Sequence, residues 1–297
     1  MKAVNVIKLN LQYIFRCWLR AIGTVMSVIS VVFIFMTWKD IGISKLCTKI
    51  LVLLGVVVVL LFWSCIWICI IKRKKVLWQS SSGKISVCYG DLLKESFDKK
   101  NNQYKMFVIP VNSAFDTIVD EDISLCSKPL VSPKSLHGRW INRMLGDGVS
   151  IDEIDVAIKD SLNKQGKNPY KVLSLEQKQR GNRNIYELGT VAAVRGKSNS
   201  IFLLLALTDF DENNNAHVSV DNLENVIKTL ITYHDQYGQG NELFVPLMGI
   251  NLSRTGLNHN DSLRAITALF QLYGNKIHGD VNVLVYQGDK DKVTINI

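Results

Sequence analysis

Two long stretches without a single charge constrain this chain more than any other feature. "AIGTVMSVISVVFIFMTW" (Ala21–Trp38) runs eighteen residues and "ILVLLGVVVVLLFWSCIWICII" (Ile50–Ile71) twenty-two. As a helix at about 1.5 Å per residue, the second extends about 33 Å, matching a hydrocarbon core of about 30 Å. The first is a little shorter and still adequate. A cleaved signal peptide does not fit the first run, because no small-residue cleavage site follows it and a second span comes at once. Trp38, Trp63 and Trp67 sit toward the ends or flanks, where interfacial aromatics collect. The expected arrangement is a transmembrane hairpin over residues 21–75, with spans at about 21–38 and 50–71. Ahead of it, Val4, Ile7, Leu11, Ile14, Phe15 and Trp18 recur at helical spacing over residues 1–20. That pattern suits an amphipathic helix on the membrane surface or an extension of the first span.

Charge divides the chain at the same place. The formal net charge is +9, yet residues 1–75 hold eleven Lys/Arg against one acid, Asp40, while residues 76–297 are within one charge of neutral. A duplex-binding domain needs a basic face of its own, so nucleic acid is not an expected partner. "KRKK" (Lys72–Lys75) reads as a topology signal. With Lys/Arg at both outer ends of the hairpin, the bias places both termini in the cytoplasm and the short Lys39–Lys49 connection outside. The six cysteines form no CxxC and no zinc-type spacing, which points to reduced thiols and a reducing compartment.

"QSSSG" (Gln79–Gly83) lies within an expected linker, 76–83, and a second domain is expected over 84–297. There, strand and helix patterns alternate. "KISVCYG", "YKMFVIPVN", "YELGTVAAV", "SIFLLLALT", "LFVPLM" and "VNVLVYQ" read as strands, and "KVTIN" as a possible short edge. "SPKSLHGRWINRML", "SIDEIDVAIKDSLNKQG", "DNLENVIKTLITYHDQYG" and "NDSLRAITALFQLYG" read as helices. Ser150 and Glu153 form a capping box, Gly166 ends that helix, and Asp221 is the expected cap of the next. The alternation predicts an α/β domain with a mixed central sheet and helices on both faces. Ser113–Pro133 is a long irregular stretch of the kind that carries function.

In such sheets a ligand sits at the carboxyl ends of the strands. Three segments arrive there: "VCYGDLLKES", "FVIPVNSAFD" and "LFVPLMGINLSRTGLNHND". In the third, two glycines permit close backbone approach to a ligand, and a helix N-terminus follows. Ser253 and Thr255 offer hydroxyls and Arg254 a planar cation suited to phosphate. Leu257 follows the second glycine where a Walker loop needs Lys, so this is not that motif. His137 and His259 fall near the expected cleft. His217, His234 and His278 are scattered. The acidic "VDEDI" (Val119–Ile123) reads as a solvated loop, with metal binding as the alternative.

Together, in this order, the three segments resemble a macro domain, the α/β module that binds ADP-ribose. "ISVCYGDLL" is similar to its first motif, which places Asp91 as acceptor for the adenine amino group. "IPVNSAF" is similar to its Val-Asn-Ala-Ala-Asn strand end, which places Asn112 at the first asparagine and Phe115 at the second. "FVPLMGINLSRTGL" is similar to its phosphate loop, which places Gly249 at the loop glycine and Ile250, Asn251, Ser253, Arg254, Thr255 and Gly256 around the diphosphate. Tyr286 stands where an aromatic often stacks on adenine. The family's glycine-rich first loop is absent; only Gly138, in "SLHGRW", lies near its place. Phenylalanine cannot orient a water or a ribose hydroxyl, so hydrolysis is not expected, with a membrane-tethered ADP-ribosyl hydrolase as the alternative. A two-span hairpin followed by a divergent macro domain resembles the membrane effectors of type II Thoeris anti-phage systems. The resemblance implies an ADP-ribose-derived signal, in that branch a histidine–ADP-ribose conjugate, made by a TIR-domain partner. It also implies a homo-oligomer acting on the lipid bilayer of the bacterial inner membrane, with no cofactor and no metal.

Overall fold

The structure, a computed structural model, describes residues 2–99, 102–122, 129–210, 216–217, 219–250 and 257–297. Two units are distinct: residues up to Lys75 together with Gly288–Ile297, and Val76–Gln287.

In the first unit, α1 (Lys2–Phe35) is one continuous helix, so the amphipathic N-terminal stretch extends the first apolar run rather than forming a separate element. α2 (Leu46–Ile66) continues into a π-helical turn, Trp67–Ile71. Both helices are long and apolar enough to cross a membrane, with mean hydropathies of 2.0 and 2.8 over their most apolar windows. They pack on each other, and Trp18 Nε1 donates to the carbonyl of Val57 at 2.9 Å.

The second unit is a mixed sheet between two helical layers. Its strands are β1 (Lys74–Gln79, crossing the unit boundary), β2 (Lys84–Gly90), β3 (Lys105–Asn112), β6 (Val191–Arg195), β7 (Ser200–Phe210), β9 (Glu242–Pro246) and β10 (Val281–Tyr286). Two residues each form β4 (Lys171–Val172) and β5 (Asn184–Ile185), a separate antiparallel pair, and β8 (Ala216–His217), which pairs with β7. The order across the sheet is β1-β2-β10-β9-β3-β7-β6. The steps from β2 through β10, β9 and β3 to β7 are parallel, and β6 is antiparallel to β7. Both faces are covered, so β3 and β7 read as nearly unbroken apolar runs. Alternation along β3 sends Phe107, Ile109 and Val111 into a core with Trp140, Ile141 and Met144 of α4 (Leu136–Gly146) and with Ile154, Ile158 and Leu162 of α5 (Ile151–Lys164). Met106 and Val108 point the other way, toward the layer of α6 (Val220–Tyr237) and α7 (His259–Leu272), which pack together. The capping box at Ser150 and Glu153 is present, and Gly166 follows α5 with φ +64°.

Several expectations fail locally. The first half of the expected linker at 76–83 belongs to β1, an edge strand closed onto β2 by a turn in which Ser80 N donates to Gly83 O at 2.9 Å. Of "YELGTVAAV" only its last four residues, from Val191 to Val194, lie in a strand, β6. Gly189 sits at φ +89°, where an extended ladder cannot continue. Ser219, not Asp221, caps α6, by accepting from Asn222 N at 3.1 Å. "KVTIN" forms no strand and groups with α1 and α2.

Candidate functional site

Because β2, β10, β9 and β3 are parallel neighbours, their carboxyl ends open on one edge of the sheet. Tyr286 is in register with Gly90, so Asp91 and Tyr286 leave adjacent strands side by side. Asn112 and the segment after Pro246 emerge on the same edge.

Asp91 caps the short helix α3 (Leu92–Ser96): its Oδ1 accepts from Leu93 N at 3.0 Å and Lys94 N at 3.4 Å. The other oxygen faces Arg139 of α4 at 3.5 Å, and the carboxylate is 29% exposed. An open depression of about 790 Å³ adjoins this pair, lined by Asp91, Leu93, Phe97, Arg139, Asn142 and Arg143. Gly249 has φ +77°, a conformation that favours glycine, and Met248 before it is anchored by its carbonyl, which accepts from buried Ser262 at 2.6 Å. Asn258 caps α7 through Asn260 N and Asp261 N, so a fourteen-residue helix presents its N-terminus where this segment ends. Gly249 and Ile250 are described; Asn251, Ser253, Arg254, Thr255 and Gly256 lie outside the described residues.

The end of β3 differs from the expectation. Asn112 is 5% exposed, and its amide organises the following turn. Oδ1 accepts from Ala114 N and Asp116 N, and Nδ2 donates to Asp116 at 3.2 Å. Phe115, placed at the ligand by motif, is 1% exposed in the core and meets Tyr186 edge-on at 5.6 Å. Its φ of +52° is unusual for a bulky residue. It is held by Phe115 N donating to Asn112 O and Asn182 Nδ2 donating to Phe115 O at 2.8 Å.

Asp116, which the sequence did not single out, is the centre of this region. Its side chain is fully buried and pairs with Lys178 at 2.6 Å, while Asn182 N donates to it at 2.7 Å. Burial pushes its carboxyl above the ordinary value, and the Lys178 ammonium draws it back down. Gly181, at φ +75°, lies so close that a Cβ there would stand 2.2 Å from Asp116 Oδ1. The acidic "VDEDI" is not simply a solvated loop: Asp120 is 4% exposed, pairs with Arg180 at 2.6 Å and accepts from Leu130 N at 2.8 Å. A smaller cavity of about 400 Å³ lies beside this network, lined in part by Phe115, Asp155, Lys159, Asn182 and Tyr186.

His137 is buried on α4, stacked near Trp140, and burial pulls its imidazole down to about 3, so it stays neutral and inside. Gly138 serves packing: a Cβ there would stand 2.2 Å from the Ser132 carbonyl oxygen. Among the described residues, no cluster of His, Cys, Asp or Glu is arranged to hold a metal ion.

Macrodomain structures from Oceanobacillus iheyensis are similar to this chain. One titled as a macrodomain mutant shares 10% identity at a TM-score of 0.45, covering 74% of this chain and 93% of that one. One with ADP shares 8% at 0.44, with the same coverage. One with MES bound shares 10% at 0.44, covering 73% and 92%. No curated protein matches. The family described as Thoeris protein ThsA, Macro domain, matches residues 85–286, over half of the chain, and to that family this chain belongs.

Proposed function

We propose that this protein is a membrane effector whose macro domain receives an ADP-ribose-derived signal, in the form of a histidine–ADP-ribose conjugate released by a TIR-domain partner. Binding then shifts the chain toward an assembly whose hairpins disrupt the bilayer. The observation that carries the reading is the Thoeris macro-domain match over 85–286, immediately after two helices apolar enough to cross a membrane. The site supports it: the Asp91 side chain is 29% exposed and meets Arg139 only at 3.5 Å, Tyr286 is 50% exposed on the adjacent strand, and Gly249 leads toward a helix N-terminus suited to diphosphate. Asn112 and Phe115 are engaged in the fold itself, which favours binding over turnover. The signal must bind the active assembly better than the resting one, since equal affinity shifts nothing.

Calorimetry on full-length protein in lipid nanodiscs tests this, with ADP-ribose, its histidine conjugate and AMP as titrants. Binding of the ADP-ribose-type ligands in preference to AMP is expected. Their failure to bind folded protein would sink the reading.

A further inference from the structure

α1 carries one deeply buried polar side chain. Asn10 is 2% exposed, and Ile14, one turn on, 4%. Asparagine is a poor helix former, and a buried amide must find partners. Those partners come from the opposite end of the sequence. Asn10 Oδ1 accepts from the Thr294 hydroxyl at 2.6 Å and from Asn296 Nδ2 at 2.9 Å, while Asn10 Nδ2 donates to Val6 O at 2.9 Å. Asn296 Oδ1 in turn accepts from Lys72 Nζ, just past the π-helical turn, at 2.7 Å. Lys75 Nζ donates to the Ile297 carbonyl and lies 5.7 Å over the Tyr13 ring. Val293 and Ile295 are fully buried. Gly288–Ile297 therefore bridges α1 and the end of α2 through a connected polar network.

This segment is also the direct continuation of β10. Only Gln287 separates it from Tyr286, at the strand end assigned above to ligand. We infer that residues 288–297 are a clasp that holds the hairpin in its resting state, and that ligand at the end of β10 releases it; the second half rests on the proposed function. Release uncovers the Asn10 amide near the membrane boundary, and a polar side chain there seeks hydrogen bonds from another helix. Its new partner is α1 of a second copy of this chain. An intramolecular bond is thus exchanged for an intermolecular one, which couples occupancy to assembly.

The test uses full-length protein in dye-loaded vesicles of phosphatidylethanolamine and phosphatidylglycerol. Thr294→Val with Asn296→Leu removes the clasp's polar atoms while keeping Asn10. Ligand-free leakage is expected to rise about tenfold, the shift that one or two lost hydrogen bonds produce, and ADP-ribose affinity to tighten by up to the same factor, because ligand and clasp oppose each other. Adding Asn10→Leu to that variant is expected to restore tightness, which general damage to the hairpin would not do. In wild type, saturating ADP-ribose is expected to speed amide hydrogen exchange across 290–297. A double variant that binds ADP-ribose, stays tight without it and leaks normally with it overturns the clasp. So does leakage that Asn10→Leu fails to suppress, or exchange that stays unchanged in protein that binds. Wild type that binds no ADP-ribose-type ligand fails the functional reading alone; the ligand-free comparison still decides the clasp.

Discussion

Asp91 and Asp116 each follow the carboxyl end of a central strand, and the fold uses them in opposite ways. Asp116 is sealed from water and matched by Lys178, Asn112 and Asn182, so its charge holds the inserted segment around β4 and β5 onto the β3 turn. Asp91 is partly exposed, caps a five-residue helix with one oxygen and leaves the other facing Arg139 across 3.5 Å. The contrast teaches that residue type and position at a strand end do not by themselves mark a ligand contact. A carboxylate whose partners are all within the chain is architecture; one with a loosely held oxygen at an open depression can exchange its partner for a ligand.

The comparison breaks most easily at Asp116. Asp116→Ala leaves Lys178, whose side chain is 9% exposed, without its carboxylate, and should lower unfolding stability by about 3–5 kcal/mol in denaturant titrations. Asp116→Ala combined with Lys178→Met should recover much of that loss. Equal melting of single and double variants would show that the pair does not hold the segment.

His137 extends the contrast along α4, since it is buried only two residues from half-exposed Arg139. Its folded value of about 3 lies below the ordinary 6.5, so the folded protein resists protonation that the unfolded chain accepts. This contribution is intact above about pH 6.5 and lost as pH falls toward about 3, by at most about 1.4 kcal/mol per pH unit. Thermal midpoints measured between pH 7 and 4 should fall, and His137→Leu should flatten part of that slope. A variant with an undiminished slope would place the acid sensitivity elsewhere.

At Asp91 the expected loss is in affinity. Asp91→Asn keeps a good helix cap but replaces the charged acceptor, and should weaken nucleotide binding by roughly 1–3 kcal/mol with little change in melting. Unchanged calorimetric affinity removes Asp91 from the site. The smallest effect belongs to Arg139→Ala, because an exposed pair at 3.5 Å is worth about 0–1 kcal/mol. A larger drop in thermal stability would mean that Asp91 is as firmly held as Asp116.

Patterns carried by neighbouring residues were legible in the sequence. The apolar runs, the buried strands β3 and β7, the capping box at Ser150 and the glycine before the α7 loop all depend on residues a few positions apart. What escaped depends on distance along the chain. Asp116 and Lys178 lie 62 residues apart, and Thr294 and Asn10 lie 284 apart. "KVTIN" alternates as an edge strand should, yet its polar positions point at a helix amide, which period alone cannot distinguish from a ladder partner. Phe115 was placed at the ligand by its position in a motif, but a positive φ turns the ring into the core. Gly249 was legible as the glycine of a bend after β9, because a left-handed turn is a local requirement, whereas Asp91 was read only as an acceptor for a ligand and its helix cap emerged from the structure.

The unbroken run of α1 has a mechanical consequence. Thirty-four helical residues extend about 51 Å, roughly 20 Å more than a 30 Å hydrocarbon core accommodates. In the proposed membrane effector, α1 has no break where it would leave the bilayer, so the outlying portion acts as a lever arm rigidly joined to the embedded portion. Changing the helix tilt by about ten degrees swings the far end of that arm by roughly 3–4 Å, well within the range of tilts that bilayers permit. Conversely, in that arrangement a displacement of a few ångströms imposed on the first turns of α1 reorients the whole rod.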